Sequence, residues 1–145
     1  MLQTDRDAFH HAHLAWERGD IEAFMAYLHE DIVYLVNVDG MQVPYAMSAL
    51  GKNDAYERLS FLIHTFVVER FTLEKLVHEV DQSWSVVHGI YRHRKTGEVL
   101  ETKLRFKGWM SAGKITRLEE TLDANYIQAF ERFVFYQQQA AGDIA

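Results

Sequence analysis

Hydrophobic positions recur with two different periods along this chain, and the change of period divides it. Leu2, Phe9, Ala12, His13 and Trp16 fall near helical spacing and predict a first helix over residues 2–18. Gly19-Asp20 reads as a helix stop followed by an N-cap. Ile21, Phe24, Met25 and Leu28 then follow at i, i+3, i+4 and i+7, the signature of a short second helix. Asp31 opens a β-branched run, Ile32 to Val38, that predicts a strand. Residues 39–50 hold the single proline, Pro44, and read as a surface loop. A third helix is expected after Gly51, with Asn53 or Asp54 as cap and Tyr56, Leu59, Ile63 and Phe66 as inner stripe.

Beyond that point the period falls to two. Residues 69–80, 83–94, 99–110 and 114–122 predict four strands. The turns between them are Asp81-Gln82, Lys95-Thr96-Gly97-Glu98 and Ser111-Ala112-Gly113, the last read as a three-residue loop with Gly113 in the left-handed position. From Asp123 onward Ile127, Phe130, Phe133 and Val134 form a helical stripe. Helices followed by a meander imply an α+β fold, a curved antiparallel sheet wrapped over the N-terminal helices, with a C-terminal helix, in one domain spanning 1–145. If Met110 pairs with Lys114, Phe106 faces Leu118 and Leu104 faces Glu120, while Arg105 lies opposite Glu119 on a charged outer face. Glu120 is then a carboxylate among Leu104, Phe106, Leu118 and Leu122, on an otherwise apolar face.

Composition narrows the function. The 145 residues are 48% hydrophobic and 25% charged, enough for a real core, and nine Phe, seven Tyr and three Trp make that core bulky. A net charge of −6 gives no electrostatic case for nucleic acid. No run is long enough for a membrane span, and Asp5, Arg6 and Asp7 stand where a signal peptide would need apolar residues, so a cytoplasmic protein is expected. The absence of cysteine excludes disulfides, thiol nucleophiles and thiolate metal sites.

Several local features occur in a telling order: Trp16-Glu-Arg-Gly-Asp20, Glu30-Asp31-Ile-Val-Tyr34, Gly51, Thr96-Gly97 and Gly113-Lys-Ile-Thr-Arg-Leu-Glu-Glu-Thr-Leu-Asp123. In that order they resemble the nuclear transport factor 2-like superfamily, nearest its polyketide-cyclase (SnoaL-like) and ketosteroid-isomerase-like branch. The resemblance covers nearly the whole chain. It implies a cone-shaped (cystatin-like) α+β barrel, a pocket lined by the first and third helices and the concave sheet face, and a homodimer through the convex face. It does not carry over the ketosteroid isomerase set. The tyrosine position falls at Ala12, the aspartate base at Val36, and the protonated carboxyl at Arg105 or Phe106. Nor is the Asp-Arg-Asp arrangement of the superfamily's epoxide hydrolases found on one face.

The residues that could act are Glu120, Tyr34 and His88. A carboxyl buried among apolar side chains suits acid–base work near neutral pH, and a phenol can donate to a developing enolate. Tyr34 alternates with Ile32 and Val36, a face that by the resemblance looks into the cone, and Trp16 sits where the first helix would contact ligand. The expected pocket wall is Trp16, Val36, Tyr56, Leu59, Ile63, Leu104, Phe106, Leu118 and Leu122. His88 shares the bulky row Trp84, Val86, His88 and Ile90, which faces either the pocket or a dimer partner. His10, His11 and His13 read as a solvated helix face and His64 as bordering the pocket, with no metal or cofactor expected. Three classes of function follow: an isomerase, cyclase or hydrolase acting on a small apolar molecule, a non-catalytic carrier of such a molecule, and a dimeric protein-interaction module.

Overall fold

The computed structural model describes residues 1–36, 48–123, 128, 129 and 132. Helix α1 (Gln3–Glu17) and the short α2 (Ile21–Ala26) precede strand β1 (Leu28–Val36). The two-residue β2 (Ala49–Leu50) leads into α3 (Lys52–Thr65), and then come β3 (Phe66–His78), β4 (Ser83–His93), β5 (Val99–Ser111) and β6 (Lys114–Leu122). The strands form one curved, open six-stranded sheet in the order β2-β1-β6-β5-β4-β3. Every neighbouring pair is antiparallel except β1 and β6, which run parallel. Of the expected C-terminal helix, residues 128, 129 and 132 are described and are helical, while its stripe Ile127, Phe130, Phe133 and Val134 lies outside the described residues.

Local chemistry accounts for the turns. Gly19 takes φ 76° after α1, and the Asp20 carboxylate caps α2 by accepting from the Ala23 amide at 3.0 Å. The third helix starts earlier than its polar residues suggest. Gly51, at φ 89°, holds the N-cap position, and its amide donates to the Ile32 carbonyl at 2.7 Å. At the other end of α3, the Arg94 guanidinium donates to the Ile63 carbonyl at 2.8 and 3.1 Å, tying down the last turn. The β5–β6 turn is tighter than expected. Ser111 pairs with Lys114, so the loop is Ala112-Gly113, both at positive φ as a type I′ hairpin requires.

The β5–β6 register also differs from the expectation. Phe106 lies opposite Glu120, Leu104 opposite Leu122, and Lys107 opposite Glu119, with an irregularity between Trp109 and Met110. The displacement is two residues, which is one full side-chain period, so each residue keeps its expected face. Arg105 consequently pairs with Asp123 (3.0 Å), and Arg117 takes Glu119 (3.1 Å).

The core lies between the sheet's inner face and the helices. Helix α1 rests directly on β5: a Cβ on Gly108 would stand 2.6 Å from the Phe9 ring, closer than any real contact. Phe9, Ala12, Ala15, Leu28, Ile32, Phe66, Val87 and Ile115 are all essentially inaccessible there.

Candidate functional site

On β1 the inner row is Ile32, Tyr34 and Val36, and on β6 it is Leu118, Glu120 and Leu122. Parallel pairing sets Tyr34 beside Leu118 and Val36 beside Glu120, which brings Tyr34 and Glu120 within reach across adjacent strands. The Tyr34 hydroxyl donates to Glu120 Oε1 at 2.6 Å, a short charge-assisted bond. Burial, reinforced by the Glu120 charge, pushes the Tyr34 phenol far above its ordinary range, so it remains a donor at any working pH.

Arg58 completes the cluster. Its Nη2 lies 3.5 Å from Glu120 Oε2, and its guanidinium carbon sits 4.5 Å from the centre of the Tyr34 ring. Both charged side chains are buried, Arg58 at 5% and Glu120 at 9% exposure. A desolvated carboxylate therefore has its counter-charge in place, together with a phenol hydrogen bond.

Sequence reasoning missed Arg58. The inner stripe of α3 is Ala55, Arg58, Leu59 and Leu62, turned from the expected one. Tyr56 is 42% exposed, and Ile63 is only half-buried and lies away from the cavity. The available signal was pairwise: one arginine in an otherwise apolar helical stripe and one glutamate on an apolar strand face, each accounting for the other.

These groups face an internal cavity with about 40 Å³ of free volume. Its wall comes from α1 (Phe9, Ala12, His13, Trp16), α2 (Phe24) and α3 (Arg58, Leu59, Leu62). The sheet adds Tyr34, Phe71, Tyr91, Leu104, Phe106, Ile115, Leu118 and Glu120. Trp16, Leu59, Leu104, Phe106 and Leu118 are thus where the sequence suggested, while Val36 and Leu122 are buried beside the cavity rather than on its surface. Tyr91 is hydrogen-bonded to Trp16, whose indole N–H is the only possible donor of that ring. Burial raises the Tyr91 phenol well above its ordinary range.

His13 corrects the reading of a solvated histidine face. It is buried against Phe9 and Phe106, with ring centroids at 4.6 and 5.6 Å. Its Nδ1 lies 2.7 Å from the Phe9 carbonyl and its Nε2 2.7 Å from Ser85 Oγ. A carbonyl only accepts, so Nδ1 carries the proton and Nε2 accepts the Ser85 hydroxyl. Desolvation lowers its pKa to about 4, leaving the ring neutral. His64 is exposed, bonded to the Ser60 carbonyl, and does not border the cavity.

His88 is not brought to Glu120 and Tyr34. The buried row of β4 is Ser83, Ser85, Val87, Gly89, Tyr91 and His93, which puts Trp84, Val86, His88 and Ile90 on the outer face. There His88 Nε2 lies 2.7 Å from Glu101 Oε1. Small residues on the inner row leave room for α1, so the bulky row is the outward one.

The SnoaL-like domain family matches residues 8–118. The chain belongs to that family. Among solved structures, TerC co-crystallised with polyporic acid is similar with a TM-score of 0.76 at 16% identity, covering 88% of this chain and 98% of that one. An NTF2-like protein from Burkholderia thailandensis aligns with a TM-score of 0.76 at 20% identity, over 90% and 98% of the two chains. A candidate SnoaL-like polyketide cyclase from Mesorhizobium loti gives 0.67 at 17% identity, over 79% and 95%. No curated protein matches the sequence. At these identities the likeness speaks for the SnoaL-like, nuclear transport factor 2-like fold. Among the described residues no helix is long and apolar enough to cross a membrane.

Proposed function

We propose that this SnoaL-like protein binds a small apolar molecule bearing a carbonyl group and moves a proton at the adjacent carbon, with Glu120 as the base. The observation that carries the reading is the buried Arg58–Glu120–Tyr34 cluster on the wall of an aromatic cavity. Glu120 takes the proton from carbon; the electron pair of the broken C–H bond passes to the substrate's carbonyl oxygen, giving an enolate. Return of the proton to a different carbon completes an isomerisation; attack by the enolate carbon on a second carbonyl, whose oxygen takes the displaced electron pair and then the proton held by Glu120, would complete a cyclisation. Throughout, one anion faces Arg58: the carboxylate before transfer and the enolate after it. The cluster's net charge does not change, so the cavity need not admit a compensating ion. Tyr34, held protonated, is the hydrogen-bond donor.

One observation favours a carrier instead. Tyr34 is bonded to Glu120, both nitrogens of His13 are engaged, and Trp16 is bonded to Tyr91. Polar groups that satisfy one another in this way hold an apolar guest without needing it to react. Native mass spectrometry on gently purified protein separates the readings. A retained apolar compound identifies the candidate substrate, and turnover of that compound by Glu120→Gln should fall by roughly a hundredfold or more. Retention with unchanged turnover in Glu120→Gln overturns the base, and retention with no turnover in either protein leaves the carrier.

The same experiment reads subunit count. We expect a homodimer through the outer face of the sheet, where the half-buried row Trp84, Val86, His88 and Ile90 needs cover. A stable monomer at micromolar concentration would contradict it.

A further inference from the structure

The cavity is small for the molecule proposed above. Its free volume of about 40 Å³ would hold roughly three waters. A second space of about 260 Å³ lies near it, an open groove at the α1–α2 turn bounded by Ile21, Ile63 and Val68 on one side and by Glu17, Arg18 and Gly19 on the other. Trp16 lines both. Trp16 therefore stands between a cramped inner cavity and a roomier groove.

We infer that Trp16 is the specificity-determining residue of this pocket: its indole moves from the cavity wall into the groove, and the space it vacates admits the apolar body of the substrate. The inference rests on the ligand-binding reading above and adds to it where the room comes from. The indole gives up its hydrogen bond to Tyr91 and an edge contact with Phe24, whose ring centroid is 5.6 Å away. In return it meets the half-buried Ile63 and Val68, with Glu17 and Arg18 at the solvent edge, so part of the ring's apolar contact is regained. Ile63 and Val68 line the groove but not the cavity, so the destination can be altered without touching the site that receives the ligand. With the indole in place, only molecules of the cavity's own size fit. The occupancy of the moved state then sets the apparent affinity for anything larger.

The test uses N-phenyl-1-naphthylamine, an uncharged aromatic probe larger than the cavity, titrated by fluorescence into the full chain. Val68→Phe fills the groove and should weaken probe binding roughly tenfold. Trp16→Leu removes the partition and should tighten it by a similar factor. In a Trp16→Leu background, Val68→Phe should change binding less than about twofold, because there is no indole left to obstruct. Ile63→Phe fills the groove from its other wall and serves if Val68→Phe fails to keep the wild-type unfolding midpoint. Wild type binding the probe with the same affinity as the groove-filled variants and Trp16→Leu would overturn the inference and leave the pocket reading intact. No binding even by Trp16→Leu would overturn both.

Discussion

Glu119 and Glu120 are neighbours on β6, and each faces an arginine, yet they live in different media. Glu119 points outward, 3.1 Å from Arg117, with the two side chains 37% and 43% exposed. Glu120 points inward, 3.5 Å from Arg58, with exposures of 9% and 5%. The longer contact is the consequential one. Water solvates the outer pair whether or not the partners meet, so their attraction adds little. The inner pair has surrendered its hydration, and each charge depends on the other. One step along a strand thus separates a hydrated carboxylate from one that depends on a single buried counter-charge.

The largest expected effect breaks the inner pair on one side. Arg58→Met should cost roughly 3–5 kcal/mol in urea unfolding, because it strands a buried carboxylate. The double variant Arg58→Met/Glu120→Leu should recover most of that loss, since the desolvation cost disappears with the second charge. A single variant as stable as wild type would mean that the two charges do not depend on one another.

His13 sharpens the comparison as an inner-face group that meets its burial by staying neutral rather than by pairing. Its folded pKa of about 4 lies below the ordinary histidine value of 6.5, so the unfolded chain binds the extra proton first. Stability from this group is whole above pH 6.5. It falls as pH drops towards 4, where the accumulated loss levels off at about 3 kcal/mol. Burial also lowers the pKa values of His78 and His93, which adds to the slope with the same sign; Arg6 and His10 lower that of His78 further, Lys95 that of His93. Urea unfolding of wild type and His13→Asn between pH 4 and 7 measures the His13 share, and an unchanged slope in the variant would refute it.

The smallest effect belongs to the outer pair. Arg117→Met should change unfolding free energy by less than about 1 kcal/mol in urea, and less still at high salt. A larger loss would point to the cation–π contact with Trp109, 5.7 Å from the guanidinium, rather than to Glu119.

The legible parts of this molecule were those written in a single element's period. Alternation marks β4 to within a residue at its end, and the Gly19-Asp20 punctuation marks the α1–α2 turn. Even the mistaken β5–β6 register kept Glu120 inside, because a two-residue displacement preserves the face. What escaped depends on neighbours. The stripes Tyr56-Leu59-Ile63 and Ala55-Arg58-Leu59-Leu62 differ by a small rotation of one helix, and only the presence of Glu120 opposite selects the one containing a charge. His88 escaped for a similar reason: alternation alone let the bulky row of β4 face either the pocket or a partner, and only the contacts of the other row, Ser85 with His13 of α1 and Gly89 against Tyr91 and Leu104, place that row inside.

The parallel contact between β1 and β6 also bears on how the protein comes into being. Tyr34 and Glu120 are 86 residues apart in sequence, and the strands that carry them are neighbours only in the finished sheet. The β3–β4 and β4–β5 hairpins close over short loops and can pair early, whereas joining β1 to β6 closes a loop spanning most of the chain and carries a larger entropic cost. On the ribosome β1 emerges first and waits for β6. A chain interrupted before β6 can hold hairpins and helices but no buried Glu120, so no half-made molecule exposes the site.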